Sequence, residues 1–360
     1  MRACGFDVDA YLADHADLRT AGLDRAGALR HFLVHGYGEQ RVVRAAASET
    51  ALAALLATPG VDPEYAQALS RSLLLGAIGP ADGGAGWPSF APGVVRLARR
   101  VGAVPYVIAG DSHSFAYAGR LRLASGAAAP IHLLCAAGSA MGLGNPASRS
   151  QYGVRLIEWL GREAAEMVEL GVPVFFKFGQ VDAEFVFTFQ RLRQEETRFS
   201  LAAYEAFVAR SVGAYLAFID QVCSRLDPAL LRICAIFPPV LSNAAWARGY
   251  VNAHVASLEA DHDPEALAAA VRRLEIPDQR TRTDLHALYN AELQAGCARR
   301  GLLFVNDFAR LIGPEGVVDP AYMDGHTGED HHLLLTEIQD EIAWQLERFG
   351  QVRTASPTSW

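Results

Sequence analysis

The chain has 360 residues, 51% hydrophobic and 20% charged, with 32 Lys and Arg against 40 Asp and Glu for a net charge of −8. That much apolar side chain offsets the entropy of ordering and excludes a mainly disordered protein, while the acidic balance argues against nucleic acid as a partner. No run reaches the roughly 18 to 20 uninterrupted apolar residues of a membrane span, so no span is expected.

The first residues pass directly into charged, helix-patterned sequence without an apolar signal core, and the five cysteines are scattered and lack a Cys-x-x-Cys pair. Both features predict a cytoplasmic, reduced protein without disulfides. From Phe6 to Arg41, apolar residues recur at three- and four-residue spacing, and Gly36 is a helix stop. Asp7, Tyr11 and Leu12, followed by His31, Gly36, Glu39 and Arg41, form a pattern that resembles a short helical module found beside enzymes of bacterial polysaccharide assembly. The resemblance implies a partner in polysaccharide assembly for residues 1–45. His31 and His35 lie four apart on one helix face and are read as packing or capping residues, since no third ligand is near in sequence.

Residues 46–100 read as an Ala/Leu-rich helical segment followed by a Gly/Pro-rich linker. From Val101 the texture changes. Apolar runs at Val104–Ala109, Ile131–Ala136, Val172–Phe178, Leu231–Phe237 and Leu302–Val305 alternate with amphipathic segments at Val154–Leu170, Ala202–Arg225, Thr283–Arg300 and Thr336–Phe349. Strand and helix in alternation predict an α/β domain over 101–350, with about five parallel strands covered on both faces, and a tail at 351–360. In such sheets the chemistry gathers where strands run into helices.

The first strand runs into Gly110-Asp111-Ser112-His113. A serine at the start of the next helix presents its own N–H, and the helix dipole, to an oxyanion forming nearby. The tetrapeptide resembles the nucleophile block of the SGNH (GDSL-like) hydrolases. That family implies a three-layer α/β/α, flavodoxin-like fold and a serine esterase acting through an acyl-serine, often on acyl groups of carbohydrates. It also implies a glycine N–H after the second strand, for which Gly138 fits. Its third block, Gly-x-Asn-Asp, falls on Gly179, Val181 and Asp182, with Val181 where the oxyanion-donating Asn belongs. Valine cannot donate, so Gln180 is assigned as the substitute, with Asn145 the alternative. The last block, Asp-x-x-His, places the general base at His332, oriented by Asp330 or Glu329. Asp111, His113, Asn145 and Asp182 are expected to contact substrate, with His326 and His331 as neighbours or further contacts.

The expected substrate is therefore a small-molecule or glycan ester, an O-acetyl group first among them, with no cofactor and no metal. Trp87, Trp159, Trp246 and Trp344 are read as core or as sugar-stacking surfaces. Three alternatives stay open: an O-acyltransferase using the same machinery, a catalytically silent glycan-binding protein, and a metal-dependent hydrolase. The last would use Asp324, His326, Glu329, Asp330, His331 and His332.

Overall fold

The computed structural model describes residues 8–31, 87, 90, 92, 95–96, 99, 103–118, 121–124, 126–250, 264–323, 328, 330–335 and 337–350. Glu329, Asp324, His326, His35, the 46–75 helical segment and the tail lie outside the described residues. Within 8–31, three short helices, Val8–Asp14, Ala16–Thr20 and Arg25–His31, pack with Tyr11 and Leu18 inside. The Tyr11 hydroxyl meets His31 Nδ1 at 3.2 Å, so His31 is a packing residue here.

The main domain is built on a six-stranded sheet. Its strands are β1 (Ala103–Gly110), β2 (Arg122–Leu123), β3 (Gly126–Leu134), β4 (Val174–Lys177), β5 (Leu231–Cys234) and β6 (Leu303–Val305), in the order β2-β3-β1-β4-β5-β6. Five are parallel, and β2 is a short antiparallel edge absent from the sequence reading. Two residues are too few for a period-2 pattern to show.

Alternation along the strands divides two cores. Val107, Ala109, Leu133, Phe176 and Ile233 face one core, shared with helices Tyr152–Leu170, Leu201–Cys223 and Gln279–Arg299. Tyr106, Ile108, Phe175, Cys234 and Val305 face the other, covered by helix Gln339–Phe349 and the short Phe115–Ala118 helix. The result is three layers, α/β/α, because parallel strands buried on both faces need helices on both faces.

Helix Leu201–Cys223 is long and apolar enough to cross a membrane by length and composition alone. Its apolar side chains have another destination. Tyr204, Phe207, Val212, Tyr215 and Ile219 are buried in the first core.

The parallel strands run in the spatial order second, first, third, fourth, fifth. The chain therefore starts in the middle of the sheet, steps to one side and returns to the other. The crevice at the carboxyl end of β1, where the direction reverses, is where an open α/β sheet receives ligands. Ser112 stands at that end.

Candidate active site

At the carboxyl end of β1, Gly110 lies between β4 and the turn that follows. A Cβ there would come within 2.5 Å of the Lys177 carbonyl and 2.6 Å of Ser114 Cβ, so only glycine fits. Asp111 caps the one-turn helix Ser112–Ser114: its Oδ1 accepts the His113 N–H at 2.8 Å and meets His113 Nδ1 at 2.9 Å. Ser112 is left partly exposed at the helix start, and its amide makes no hydrogen bond among the described residues.

Across the crevice a second Asp-x-His turn repeats this geometry. Asp330 Oδ1 accepts the His332 N–H at 2.8 Å and meets His332 Nδ1 at 2.8 Å. His332 Nε2 lies 2.8 Å from Ser112 Oγ. In the tautomer with the proton on Nδ1, the imidazole donates to Asp330 and accepts from the serine hydroxyl. Hydroxyl, imidazole and carboxylate thus form one chain spanning 220 positions of sequence. Asp330, two residues before His332, holds the ring through a turn that also captures the backbone N–H.

His113 and His331 complete a cluster around the His332 ring. Their rings stand 4.8 Å and 3.8 Å from that of His332. His331 Nδ1 bonds the Tyr250 hydroxyl at 2.8 Å. One ligand nitrogen from each of the three histidines falls within 4.8 Å of the others, so this group can hold a metal ion. Sequence reading sought a metal set within 324–332 and missed His113, which only the fold brings across.

Electrostatics divide the roles of the two Asp–His pairs. Burial alone pushes His113 toward the neutral form, but the charge and hydrogen bond of Asp111 outweigh it and raise its pKa. For His332, burial and then the charge of His113 lower the pKa, against the opposing charge of Asp330. The balance favours the neutral form of the His332 imidazole. Asp330 is itself held low: its hydrogen bonds from His332 outweigh the cost of its partial burial.

Several expected roles are corrected by position. Gln180 is buried and its amide is fully used: Nε2 donates to Glu184 Oε1 at 2.7 Å and to the Phe237 carbonyl at 3.2 Å, and Oε1 accepts the Phe237 N–H. It has no donor left for an oxyanion. The Gly138 amide is turned back onto the Cys135 carbonyl at 2.7 Å, in a turn that holds Ala137 at φ 54°. Of the three expected oxyanion donors, only the Ser112 amide is uncommitted in this conformation.

Asn145 sits in an exposed turn, its Oδ1 accepting the Ala147 N–H. Asp182 is fully buried and accepts from the Ala140 and Met141 amides and the Ser211 hydroxyl, which ties the loop after β4 to the loop after β3. Asp111 and His113 are buried as well, so in this conformation neither side chain is open to a ligand arriving from solvent, contrary to the contacts expected of them. Trp159 and Trp246 are core residues; Trp87 donates to the Leu134 carbonyl at 2.9 Å, and Trp344 lies under Arg310.

Sequence reasoning also missed Glu184, in a π-helical turn over Asp182–Val186. Its carboxyl is buried, and its pKa is pushed up to about 7 by burial, against the opposing charge of His113. Gln180, four residues earlier, holds one of its oxygens, but the charges of His113 and Arg282 that bear on it come from distant segments and leave no local pattern.

No protein-family model matches the chain, and no curated protein does. Among solved structures, a GDSL-like lipase from Bacteroides thetaiotaomicron VPI-5482 superposes with a TM-score of 0.34 at 10% identity, over 68% of this chain and 86% of its own. A protein named as an acylhydrolase, from Bacteroides fragilis NCTC 9343, gives 0.30 at 11%, over 68% and 88%. Superpositions this loose leave the chemistry to the geometry of this chain.

Proposed function

We propose that the protein is a serine esterase of the SGNH type, acting on an O-acyl ester through an acyl-serine. The observation that carries the reading is the unbroken contact from Asp330 through His332 to the partly exposed Ser112 hydroxyl. His332 takes the hydroxyl proton as Ser112 Oγ attacks the ester carbonyl carbon, and Asp330 stabilises the imidazolium that forms. The Ser112 N–H receives the charge on the tetrahedral oxygen. His332 then returns the proton to the departing alcohol, leaving an acyl-serine. Water completes hydrolysis; a sugar hydroxyl in its place makes the same machinery an O-acyltransferase. Carbohydrate O-acetyl esters are the substrate class we favour, on the resemblance of the first 45 residues to a polysaccharide-associated module.

A fluorophosphonate probe tests the reading. Labelling confined to the peptide that carries Ser112, and lost in Ser112→Ala with the fold intact, supports it; a folded wild-type chain that neither labels nor hydrolyses p-nitrophenyl acetate refutes it. The cluster of His113, His331 and His332 favours a second reading, a metal-dependent hydrolase. That reading requires activity lost in chelator and restored by a divalent cation.

A further inference from the structure

Three imidazoles meet at the end of β1 from two segments far apart in sequence, and one nitrogen of each lies within 4.8 Å of the other two. A point between nitrogens so placed is at most about 2.8 Å from all three, against about 2.0–2.1 Å for a zinc–imidazole bond, so ring shifts of under about 1 Å close the gap. A metal ion needs no opening wider than itself, because it sits between the nitrogens rather than on their outer faces. His332, with its side chain 35% exposed beside the partly exposed Ser112, is the point of entry; His113 and His331 are buried.

The rings are already held in the way metal ligands are held. A histidine that binds metal through one nitrogen carries its proton on the other and gives it to an oxygen, which fixes the ring. His332 Nδ1 lies 2.8 Å from Asp330 Oδ1, and His113 Nδ1 lies 2.9 Å from Asp111 Oδ1. His331 Nδ1 lies 2.8 Å from the Tyr250 hydroxyl and 3.3 Å from Asp330 Oδ1. In all three rings Nδ1 faces an oxygen, so with the proton there Nε2 is the lone-pair nitrogen. His113 Nε2 stands 3.4 Å from the His331 carbonyl, a long contact that coordination would replace.

The donor set selects the ion. Three neutral nitrogens suit a transition metal such as zinc and offer nothing to magnesium or calcium, which take oxygen ligands. The Asp111 and Asp330 carboxylates, each behind a ligating ring, offset the ion's two positive charges. The lone pair of His332 Nε2, however, has one use at a time. In the structure it faces Ser112 Oγ at 2.8 Å, as proton transfer requires, and once coordinated to a metal it can take no proton. We propose that a zinc ion binds His113, His331 and His332 and, while bound, blocks attack by Ser112. The block rests on the esterase reading; the binding does not. The ion is thus an inhibitor of the serine reaction, the reverse of its role in a metal-dependent hydrolase.

Two readouts test this on the full chain at mildly alkaline pH, after a chelator has been applied and removed. The first is zinc binding itself, by competition with a chromogenic zinc chelator, which needs no activity. One zinc per chain is expected, with a Kd of about 10 µM or below, and magnesium and calcium do not displace it. His331→Gln removes a ligand and weakens binding by more than the roughly ten- to hundredfold that loss of a group behind a ligand costs. Should that variant not fold, His332→Gln, at the more exposed position, is read for binding in its place. Ser112→Ala, which removes the competitor for Nε2, binds zinc at least as tightly as wild type. The second readout is the rate of fluorophosphonate labelling at Ser112, each protein compared with its own zinc-free rate. Zinc at about ten times its Kd slows wild type about tenfold, chelator restores the rate, and His331→Gln is slowed less than about twofold at that concentration. No zinc site up to about 100 µM, loss of the site in Ser112→Ala, or a folded His331→Gln with undiminished affinity overturns the proposal. So does labelling that bound zinc leaves unchanged or speeds. A chain that binds zinc through these histidines yet labels under no condition overturns the block together with the esterase reading, while the metal site stands.

Discussion

Replacing Asp330 by Asn tests whether the carboxylate orients a working base. In the structure one oxygen, Oδ1, serves both the His332 N–H and the Nδ1 proton, each at 2.8 Å. An amide oxygen still accepts the backbone N–H, but the charge that stabilises the imidazolium is gone. A hydrogen bond to a charged group contributes about 1.5–3 kcal/mol, and about 1.4 kcal/mol is a factor of ten. The expected loss in kcat/KM is therefore roughly ten- to a hundredfold. It stays well below the roughly ten-thousandfold loss known for a fully buried triad aspartate, because the Asp330 side chain is 57% exposed and water screens part of its charge.

The pH dependence has a defined sign. Asp330 raises the His332 pKa, while burial and the His113 charge lower it. Without Asp330 the lowering influences of burial and the His113 charge are opposed only by the charge of Asp111, the last of the causes, so the acid limb of the profile moves to lower pH as the plateau falls. The second-order rate of fluorophosphonate labelling against pH reads both quantities without knowledge of the natural ester. A plateau within threefold of wild type, or an acid limb moving to higher pH, would refute the assigned role.

Three further substitutions have directions set by the structure. Gly179→Ala places a methyl 2.7 Å from Tyr289 Cε1 at φ +110°, and strain plus clash should destabilise the fold by about 2–4 kcal/mol in urea titration. Glu184→Gln should raise stability at pH 8 and change it little at pH 4. The carboxyl is raised from 4.5 to about 7 in the fold, so the stability linked to its neutral form is fully present below about 4.5 and lost as pH climbs through 7. The gap at pH 8 is at most about 3 kcal/mol, and an equal gap at both pH values would contradict the reasoning. Ala137→Gly relieves a left-handed alanine and should gain about 0.5–1 kcal/mol in thermal unfolding.

Much of the architecture was legible in one dimension because it is written in local periodicity. The apolar runs at 104–109 and 302–305 lie on β1 and β6, and the amphipathic segments at 154–170 and 202–225 lie on helices Tyr152–Leu170 and Leu201–Cys223. The Gly-Asp-Ser-His turn and the later histidines were visible as residue types at strand and loop ends. The partner of His332 was half legible: a carboxylate two residues away can close an Asx-type turn on both the N–H and the ring.

Strand order, the approach of His113 to His331 and His332, and the commitment of the Gln180 amide to Glu184 and Phe237 were decided only by the tertiary structure. The reason is physical. A side chain's type and periodicity are properties of its own segment, whereas the use of a donor depends on which distant backbone reaches it first. Gln180 was read as a free amide because sequence shows what a group can donate; folding determines to whom.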